Sequence, residues 1–205
     1  MSRYRGPKIK LMRAVGMNLP GVSRKTIDRK PNPPGMSGTQ FKRKKSNFGN
    51  QLLEKQKLRF NYGLTEKKMR RLVSEAFNSR EHSGHKMIEL LERRLDSIVF
   101  RAGFAPSIVA ARQFVSHNHV LVDGKVVNIG SYRVKPGQVI SMSEKGLKMA
   151  VVEHSLENLP LARPAWLSFE ADKNEAKMIT IPDRESFPFA IDESLVVEYY
   201  SRMVS

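Results

Sequence analysis

The chain of 205 residues contains no cysteine, which excludes a disulfide framework and any thiolate metal site. No apolar run approaches the ~20 residues that a membrane-spanning helix needs, so we expect no membrane partner. The N-terminus is basic but lacks the apolar stretch of a secretory signal, although composition alone leaves a transit peptide open.

Acidic residues are scarce at one end of the chain. Residues 1–50 hold 13 Lys and Arg against one acid, Asp28, whereas residues 151–205 hold 5 against 10 acids. The whole chain has a formal net charge of +16 and a sequence pI near 10.2. This uneven excess favours a polyanion partner over the alternative of a merely soluble basic protein.

Signatures of catalysis are also few, since there is no Gly-rich phosphate loop, no thiol and no paired His on a helix. His117 and His119 would make a two-His site without a third ligand, so we expect no metal and no cofactor. The tripeptide Arg94-Leu95-Asp96 is similar to the catalytic Arg-Leu-Asp of pseudouridine synthases. Only 48 residues follow position 157, too few for a catalytic domain. We therefore predict that Asp96 braces a helix and that the chain is not an enzyme, with an RNA-modifying enzyme as the alternative.

Residues 1–50 read as an extended basic arm, because frequent Pro and Gly break any long helix. A helix is predicted around residues 51–58. Another begins at Leu64 and Thr65, with Thr65 as N-cap, and carries an apolar face at spacings of three and four with cations opposite. A third helix is predicted to carry Met87, Leu90, Leu91, Leu95 and Ile98 on one side.

Residues 94–157 predict a small module. A short helix over 108–115 starts at Ser107 or Pro106. Asp123-Gly124 lies between two β-branched runs, which is the strongest local signal for a hairpin with a type I′ turn. Pro136-Gly137 predicts a further turn, and residues 139–142 a third strand.

The predicted fold class is therefore α+β: a basic arm (1–50), a helical domain (51–93), an inserted RNA-binding module of two helices, a hairpin and a further strand (94–157), and a C-terminal part (158–205) that packs on the helical domain. Asp192 is expected to cap a last helix. Short extended pieces are expected at residues 164–167 and 179–181.

Candidate RNA-binding residues are the cations and amide, hydroxyl or imidazole side chains of the arm, the first helices and the module. Arg pairs bidentately with phosphates, and Asn, Gln, Ser and His bond sugars or base edges. A solvated basic face is the alternative for any one of them. The candidates are Arg3, Arg5, Lys8, Lys10, Lys42, Arg43, Lys44, Lys45, Gln51, Lys55, Lys57, Arg59, Lys67, Lys68, Arg70, Arg71, Arg94, Arg101, Arg112, Gln113, Ser116, His117, His119, Lys125, Asn128, Ser131 and Lys135.

A resemblance to a known family rests on several segments in order along the whole chain. They read RYRGPK (3–8), FGNQLLEKQK (48–57), LERRLD (91–96), RAGF (101–104), ARQFVSH (111–117) and VVNIGSY (126–132), with Tyr62-Gly63 between the second and third. The chain resembles the bacterial-type small-subunit ribosomal protein S-four family.

The resemblance implies a ribosomal protein that binds a multi-helix junction in the 5′ domain of small-subunit ribosomal RNA and nucleates assembly. It further implies that ribosomal protein S-five is a neighbour whose interface tunes translational accuracy. Lys42 to Lys45 would then lie near the pore through which messenger RNA enters. The expected location is the ribosome in the cytoplasm, with bacterial cytosol and organelle both open. Some relatives repress their own messenger, so a free-standing regulator is a third hypothesis.

Two departures from the family pattern are visible. Ser37 stands within the loop Pro34 to Gly38 where many relatives have His, and the N-terminal cysteines that bind zinc in some relatives are absent. The hairpin turn is Asp123-Gly124 where Asn-Gly is common, and both pairs allow the positive φ angles of a type I′ turn.

Overall fold

A computed structural model describes residues 4, 6–35 and 45–204, with only the backbone of residue 204. The chain folds into two compact units. One comprises residues up to Met87 together with those from Phe189, and the other comprises Ile88–Pro188. Helices and an antiparallel sheet occur together, so the predicted α+β class is confirmed. None of the helices in the described ranges has the length and apolarity to cross a membrane.

The first unit is helical. It contains α1 (Lys8–Val15), α2 (Asn47–Asn61), α3 (Glu66–Phe77), the start of α4 (Ser83–Glu92) and α9 (Glu193–Val204). Helices α2 and α9 pack together, and Gln51 donates to Glu198 across them at 2.8 Å. The Phe48 and Tyr199 rings also meet, with centroids 5.7 Å apart.

The predicted caps of this unit are confirmed. The Thr65 hydroxyl accepts a hydrogen bond from the Lys68 amide, and the Asp192 carboxylate accepts one from the Ser194 amide at 3.1 Å. These oxygens satisfy amides that have no partner within a helix. The predicted apolar face of α3 is buried at Met69, Leu72, Val73 and Ala76.

The N-terminal residues differ from the predicted extended arm. Helix α1 occupies Lys8–Val15 and ends at Gly16, whose φ of 73° is left-handed. Buried apolar residues extend beyond the helix into the following turns, and they form one cluster. Its members are Met12, Val15, Leu19, Val22 and Ile27. This segment folds because these apolar residues are buried together, with Leu53, Phe60 and Phe189 packed against them.

The second unit combines helices with a five-stranded sheet. Its elements are the end of α4, α5 (Leu95–Ala102), α6 (Ile108–Ser116), β1 (Val120–Val122), β2 (Lys125–Val126), β3 (Val139–Met142), α7 (Glu144–Leu147), α8 (Ala150–Glu157), β4 (Leu167–Glu170) and β5 (Glu175–Met178). The strand order is β2-β1-β3-β5-β4, and all neighbours are antiparallel. The buried side chains of α5 and α6 include Ile98, Phe100 and Val115.

The predicted hairpin and third strand are confirmed. Val122 pairs with Lys125, and Asp123 and Gly124 have φ angles of 49° and 74°, as a type I′ turn requires. Ser107 caps α6 by accepting a hydrogen bond from the Ala110 amide, which confirms one of the two predicted helix starts.

Three features of this unit differ from the sequence predictions. The single helix expected through Met87 and Ile98 is interrupted at Arg94, whose backbone is extended and forms a bridge with Arg133. Residues 158–188 belong to this unit, because β5 pairs with β3, and the chain from Phe189 belongs to the first unit. Strand β5 also ends before Ile179 and Ile181, which are exposed.

Candidate RNA-binding surface

The second unit presents polar and cationic side chains at the end of α6, in the β1–β2 hairpin and in the loop before β3. This helix ends at Ser116, and Asn118 then takes a left-handed φ of 64° that turns the chain into β1. We call these side chains the module surface: Arg112, Gln113, Ser116, His117, His119, Lys125, Asn128, Ser131 and Lys135. Of the nine residues in this set, Arg112 and His119 are half-buried and the other seven are exposed.

Asp96 organises the inner side of the module surface. Its carboxylate is fully buried and accepts from Arg94 Nε at 3.0 Å and Arg94 Nη2 at 2.8 Å. Arg112 Nε also donates to it at 2.7 Å. One carboxylate therefore joins α6 to the start of α5 and neutralises part of the charge of two guanidinium groups. The sequence prediction that Asp96 braces a helix is confirmed by these contacts.

Backbone hydrogen bonds hold the loop between β2 and β3 against the start of α5, beside Asp96. The Leu95 amide donates to Tyr132 O at 2.8 Å, the Asp96 amide donates to Gly130 O at 3.2 Å, and the Val134 amide donates to Arg93 O. A Cβ added to Gly130 would lie 3.3 Å from Asp96 Oδ2 and 3.4 Å from Arg112 Cγ. The loop therefore approaches Asp96 and Arg112 closely at Gly130, and Asn128 and Ser131 flank this position in the sequence.

The hairpin is fixed to β3 by its own turn residue. The Asp123 carboxylate accepts from the Val139 amide at 2.9 Å and from Gln138 Nε2 at 2.7 Å. These hydrogen bonds hold the pKa of Asp123 below its ordinary value. The turn that precedes Lys125 is therefore anchored, and Lys125 projects from a defined position.

The charge balance of this region favours an anionic ligand. Between positions 97 and 143 the sequence has one acid, Asp123, against the cations Arg101, Arg112, Lys125, Arg133 and Lys135. Arg101 and Arg112 are paired with Glu92 and Asp96, which lie outside this range. Lys125, Arg133 and Lys135 are exposed and outnumber Asp123, so the net charge of the exposed side chains is positive. Such a surface fits phosphate groups, and its hydroxyl, amide and imidazole groups fit sugars and bases.

The first unit has a basic face of its own. Lys67, Lys68, Arg70 and Arg71 are exposed on α3, opposite the buried face of that helix. Lys8, Lys10 and Lys45 are exposed as well. An amphipathic helix explains the first four, because its apolar stripe fixes which residues face solvent.

For four of the predicted binding residues the structure gives an internal role instead. Gln51 is buried against Glu198, and Lys55 is buried with its ammonium 3.0 Å from Glu66 and 4.7 Å from the Tyr199 ring centre. Arg94 binds Asp96, and Arg101 lies 3.1 Å from Glu92 and donates to Ser186 O at 2.6 Å. These three cations and this amide are themselves buried and have partners within the protein, which takes them out of the candidate surface.

Other candidates are partly engaged or lie outside the described residues. Lys57 is ion-paired with Glu54, and Arg59 lies 3.7 Å from Glu66. Arg3, Arg5, Lys42, Arg43 and Lys44 lie outside the described residues, and so does Ser37 of the predicted loop.

The rings of His117 and His119 have centroids 6.4 Å apart. The residues that the structure describes contain no group of three or more His, Cys, Asp or Glu that could hold a metal ion. Both imidazoles belong to the module surface, where His117 is exposed and His119 is half-buried.

Arg133 was missed by the sequence reasoning. It is exposed, and it lies in the loop that the Asp96 and Leu95 amides hold in place. The signal was its position between Tyr132 and Lys135, at the end of a segment already assigned to the module. It belongs with the candidate residues on the same grounds of charge and exposure.

A small α/β module with a polar, cationic surface, joined to a helical unit with a basic face, is typical of proteins that bind structured RNA. Family models match two adjacent segments: "Ribosomal protein S4/S9 N-terminal domain" over residues 3–92 and "S4 domain" over residues 93–140.

Full-length relatives agree with the family models. The chain is 52% identical to small ribosomal subunit protein uS4 of Methylobacillus flagellatus, over 98% of both chains. It is 50% identical to uS4B of Nitrosomonas europaea over 98% of both chains, and 47% identical to uS4 of Streptococcus agalactiae over all of both. The chain belongs to the uS4 family of ribosomal proteins.

Proposed function

We propose that this protein is a structural component of the small ribosomal subunit and binds small-subunit ribosomal RNA directly through the module surface and the basic face of α3. The observation that carries the proposal is the full-length match to relatives named small ribosomal subunit protein uS4. The exposed cations and polar groups around Asp96 supply the chemistry that RNA binding needs.

The basic face of α3 and the module surface have different roles in this binding. The α3 cations bind phosphates without reading sequence, because long flexible ammonium and guanidinium groups act mainly through charge. Arg112 is held by Asp96, so its guanidinium has a fixed direction. His117, Asn128 and Ser131 are exposed members of the module surface and supply groups that bond ribose hydroxyls and base edges.

Finer parts of the proposal follow the family resemblance. We propose that the RNA is the junction in the 5′ domain and that binding nucleates assembly. We also propose that residues near Lys45 contact messenger RNA where it enters, and that exposed acids such as Asp172 and Glu185 face ribosomal protein S-five and influence accuracy. The relatives' bacterial sources support a cytoplasmic ribosome as the location.

A binding series over salt tests the proposal. The wild-type protein is titrated with a transcript of the 5′ domain of small-subunit ribosomal RNA. We expect log affinity to fall linearly with log salt, with a slope near 0.7–0.9 for each phosphate contacted. A response that is flat over salt would contradict the proposal.

Variants then separate the two surfaces. Arg112→Ala and His117→Ala should each weaken binding, Arg112→Ala by ~1–3 kcal/mol. Lys68→Gln with Arg71→Gln should lower the salt slope and leave unfolding unchanged. The matched control Glu185→Gln with Asp172→Asn alters two exposed acids and should leave RNA affinity the same or slightly tighter. Wild-type affinity in both module variants would remove Arg112 and His117 from the interface.

A further inference from the structure

A concavity of about 230 Å³ lies among residues of the N-terminal segment, apart from α3 and the module surface. Its walls come from the end of α1 and from the chain that follows the apolar cluster. It is lined by Arg13, Arg29, Lys30, Pro31, Asn32, Pro33 and Gly35.

Arg13 builds this concavity. Its neighbours Met12 and Val15 are buried, so the last turn of α1 is fixed to the apolar cluster. From there Arg13 Nε donates to Asn32 O at 2.8 Å and Arg13 Nη2 donates to Pro33 O at 3.3 Å. The two carbonyls hold the guanidinium plane in one orientation and draw the 31–35 segment towards α1.

The opposite wall is also anchored. The Ile27 amide donates to Asn18 Oδ1 at 2.9 Å, and the Lys30 amide donates to Ile27 O at 2.9 Å. Ile27 itself is buried in the apolar cluster. Arg29 and Lys30 therefore leave a fixed turn, and their side chains are exposed at the concavity.

The charges on the walls have one sign. The lining contains three cations and no carboxylate among the residues that the structure describes. Asp28, the one acid of residues 1–50, is outside the lining. A guanidinium has five N–H donors, and the two carbonyl bonds of Arg13 leave others for an anion. A partner with strong acceptor oxygens is what such a site selects.

The volume of the concavity further restricts the class of ligand that fits. A cavity of about 230 Å³ is below the roughly 300–1,000 Å³ typical of pockets for drug-sized ligands. It suits a fragment of a nucleic acid chain, a phosphate with part of its ribose, rather than a whole free cofactor. The two prolines of the lining stiffen the wall, so little ordering is needed when the fragment binds.

We propose that this concavity is a subsite for one backbone phosphate of RNA, with Arg13, Arg29 and Lys30 as its ligands. The proposal rests on the proposed function for the identity of the polymer, and it adds a contact separate from the two surfaces described above. Arg13 supplies a fixed guanidinium, while Arg29 and Lys30 close on the phosphate from the exposed side. The competing explanation is a solvated basic surface whose charge acts only at long range.

The first experiment compares two double variants that remove the same charge. Arg29→Gln with Lys30→Gln alters the subsite, and the control Arg80→Gln with Lys25→Gln removes one Arg and one Lys that are exposed elsewhere in the first unit. Both are titrated with the 5′-domain transcript over salt, and circular dichroism verifies folding. We expect the subsite variant to bind about 10-fold more weakly and its salt slope to fall by about 0.7–0.9, the value for one phosphate. The control should keep its slope.

The second experiment uses inorganic phosphate as the probe on the full-length protein. The Nε–H signals of ¹⁵N-labelled arginine are followed during the titration. The Arg13 signal should shift and saturate in the wild type and the control, and it should shift no further than bulk salt causes in Arg29→Gln with Lys30→Gln.

Each outcome decides the proposal. Equal losses in the two double variants, or no loss in either, would overturn the subsite and leave RNA binding intact. If the wild type fails to bind the transcript, the proposed function fails and the phosphate titration alone decides whether the concavity binds phosphate. A non-saturating Arg13 signal would overturn the subsite in that case.

Discussion

Asp96 in α5 and Glu66 in α3 perform the same task at different depths. Each lies in the first turn of its helix, where the helix dipole favours a negative charge. Asp96 is fully buried and joins Arg94 to Arg112. The Glu66 side chain is 33% exposed, accepts from Tyr200 at 2.8 Å and from Lys55 at 3.0 Å, and also meets Arg59.

The comparison shows how burial changes the contribution of one carboxylate to the stability of the fold. Water reaches the partly exposed carboxylate of Glu66 and its partner Arg59, so the net gain from Glu66 is smaller, although its other partner Lys55 is buried. Inside the protein, removing one charge leaves its partners buried without compensation, which is strongly destabilising. We therefore expect the second unit to depend on Asp96 far more than the first depends on Glu66.

Asp96→Asn should give the largest effect. It leaves Arg94 and Arg112 without their carboxylate, and we expect the free energy of unfolding to fall by about 3 kcal/mol, near the lower end for a broken buried pair because Arg112 is 24% exposed. Chemical denaturation of the full chain measures it, with the exposed Asp172→Asn as control. If Asp96→Asn and Asp172→Asn were equally stable, the expectation that burial increases the cost of losing the carboxylate would be wrong.

Gly124→Val should give an intermediate effect in the same unit. The residue has a φ of 74°, a conformation that costs a β-branched residue of order 1–3 kcal/mol. No atom lies within 4 Å of an added Cβ, so the loss would come from backbone strain and not from a clash. Thermal unfolding of this variant beside Gly49→Ala, a substitution within α2, measures that strain. An unchanged melting temperature would show that the turn accommodates the side chain.

Features with local causes were predictable from the sequence. The Asp123-Gly124 hairpin, the Thr65 and Asp192 caps and the cationic face of α3 each depend on residues within a few positions of one another. Local chemistry is sufficient there because turn geometry and amphipathic spacing are fixed by the chain itself.

Features with distant causes were not predictable. Arg94 was expected within a helix and on a binding face, but its extended backbone pairs with Arg133 from a later loop. Likewise, β5 joins the sheet through β3, more than thirty residues earlier in the chain. Arg94 and Arg101 therefore do not share one helix, and the neighbouring acids Glu92 and Asp96 were the signal that these cations are used internally.

Glu66→Gln should give the smallest effect, and its pH dependence is the sharper test. Partial burial raises the pKa of Glu66, but the hydrogen bonds from Tyr200 and Lys55 and the charges of Lys55 and Arg59 outweigh it, so the pKa lies below its ordinary value.

A carboxyl whose pKa is lower in the folded state stabilises the fold above its unfolded pKa, which is near 4.5. That contribution is lost as the pH falls through the lower folded value. The free energy of unfolding of the wild type should therefore decline more steeply with acidification below about pH 5 than that of Glu66→Gln. At neutral pH the variant should lose about 1 kcal/mol, the upper end for exposed ion pairs, because water reaches Glu66 and Arg59 while Lys55 is buried.

The ionic strength completes the comparison between the two acids. Salt screens partly exposed pairs and acts much less on buried ones, so raising it should reduce the neutral-pH difference between the wild type and Glu66→Gln while leaving the loss in Asp96→Asn nearly unchanged. Denaturation curves at low and high salt measure both differences, and Asp28→Asn is the exposed control in the first unit. If salt reduced the loss of unfolding free energy by the same proportion in Asp96→Asn and Glu66→Gln, burial would not explain the difference between Asp96 and Glu66.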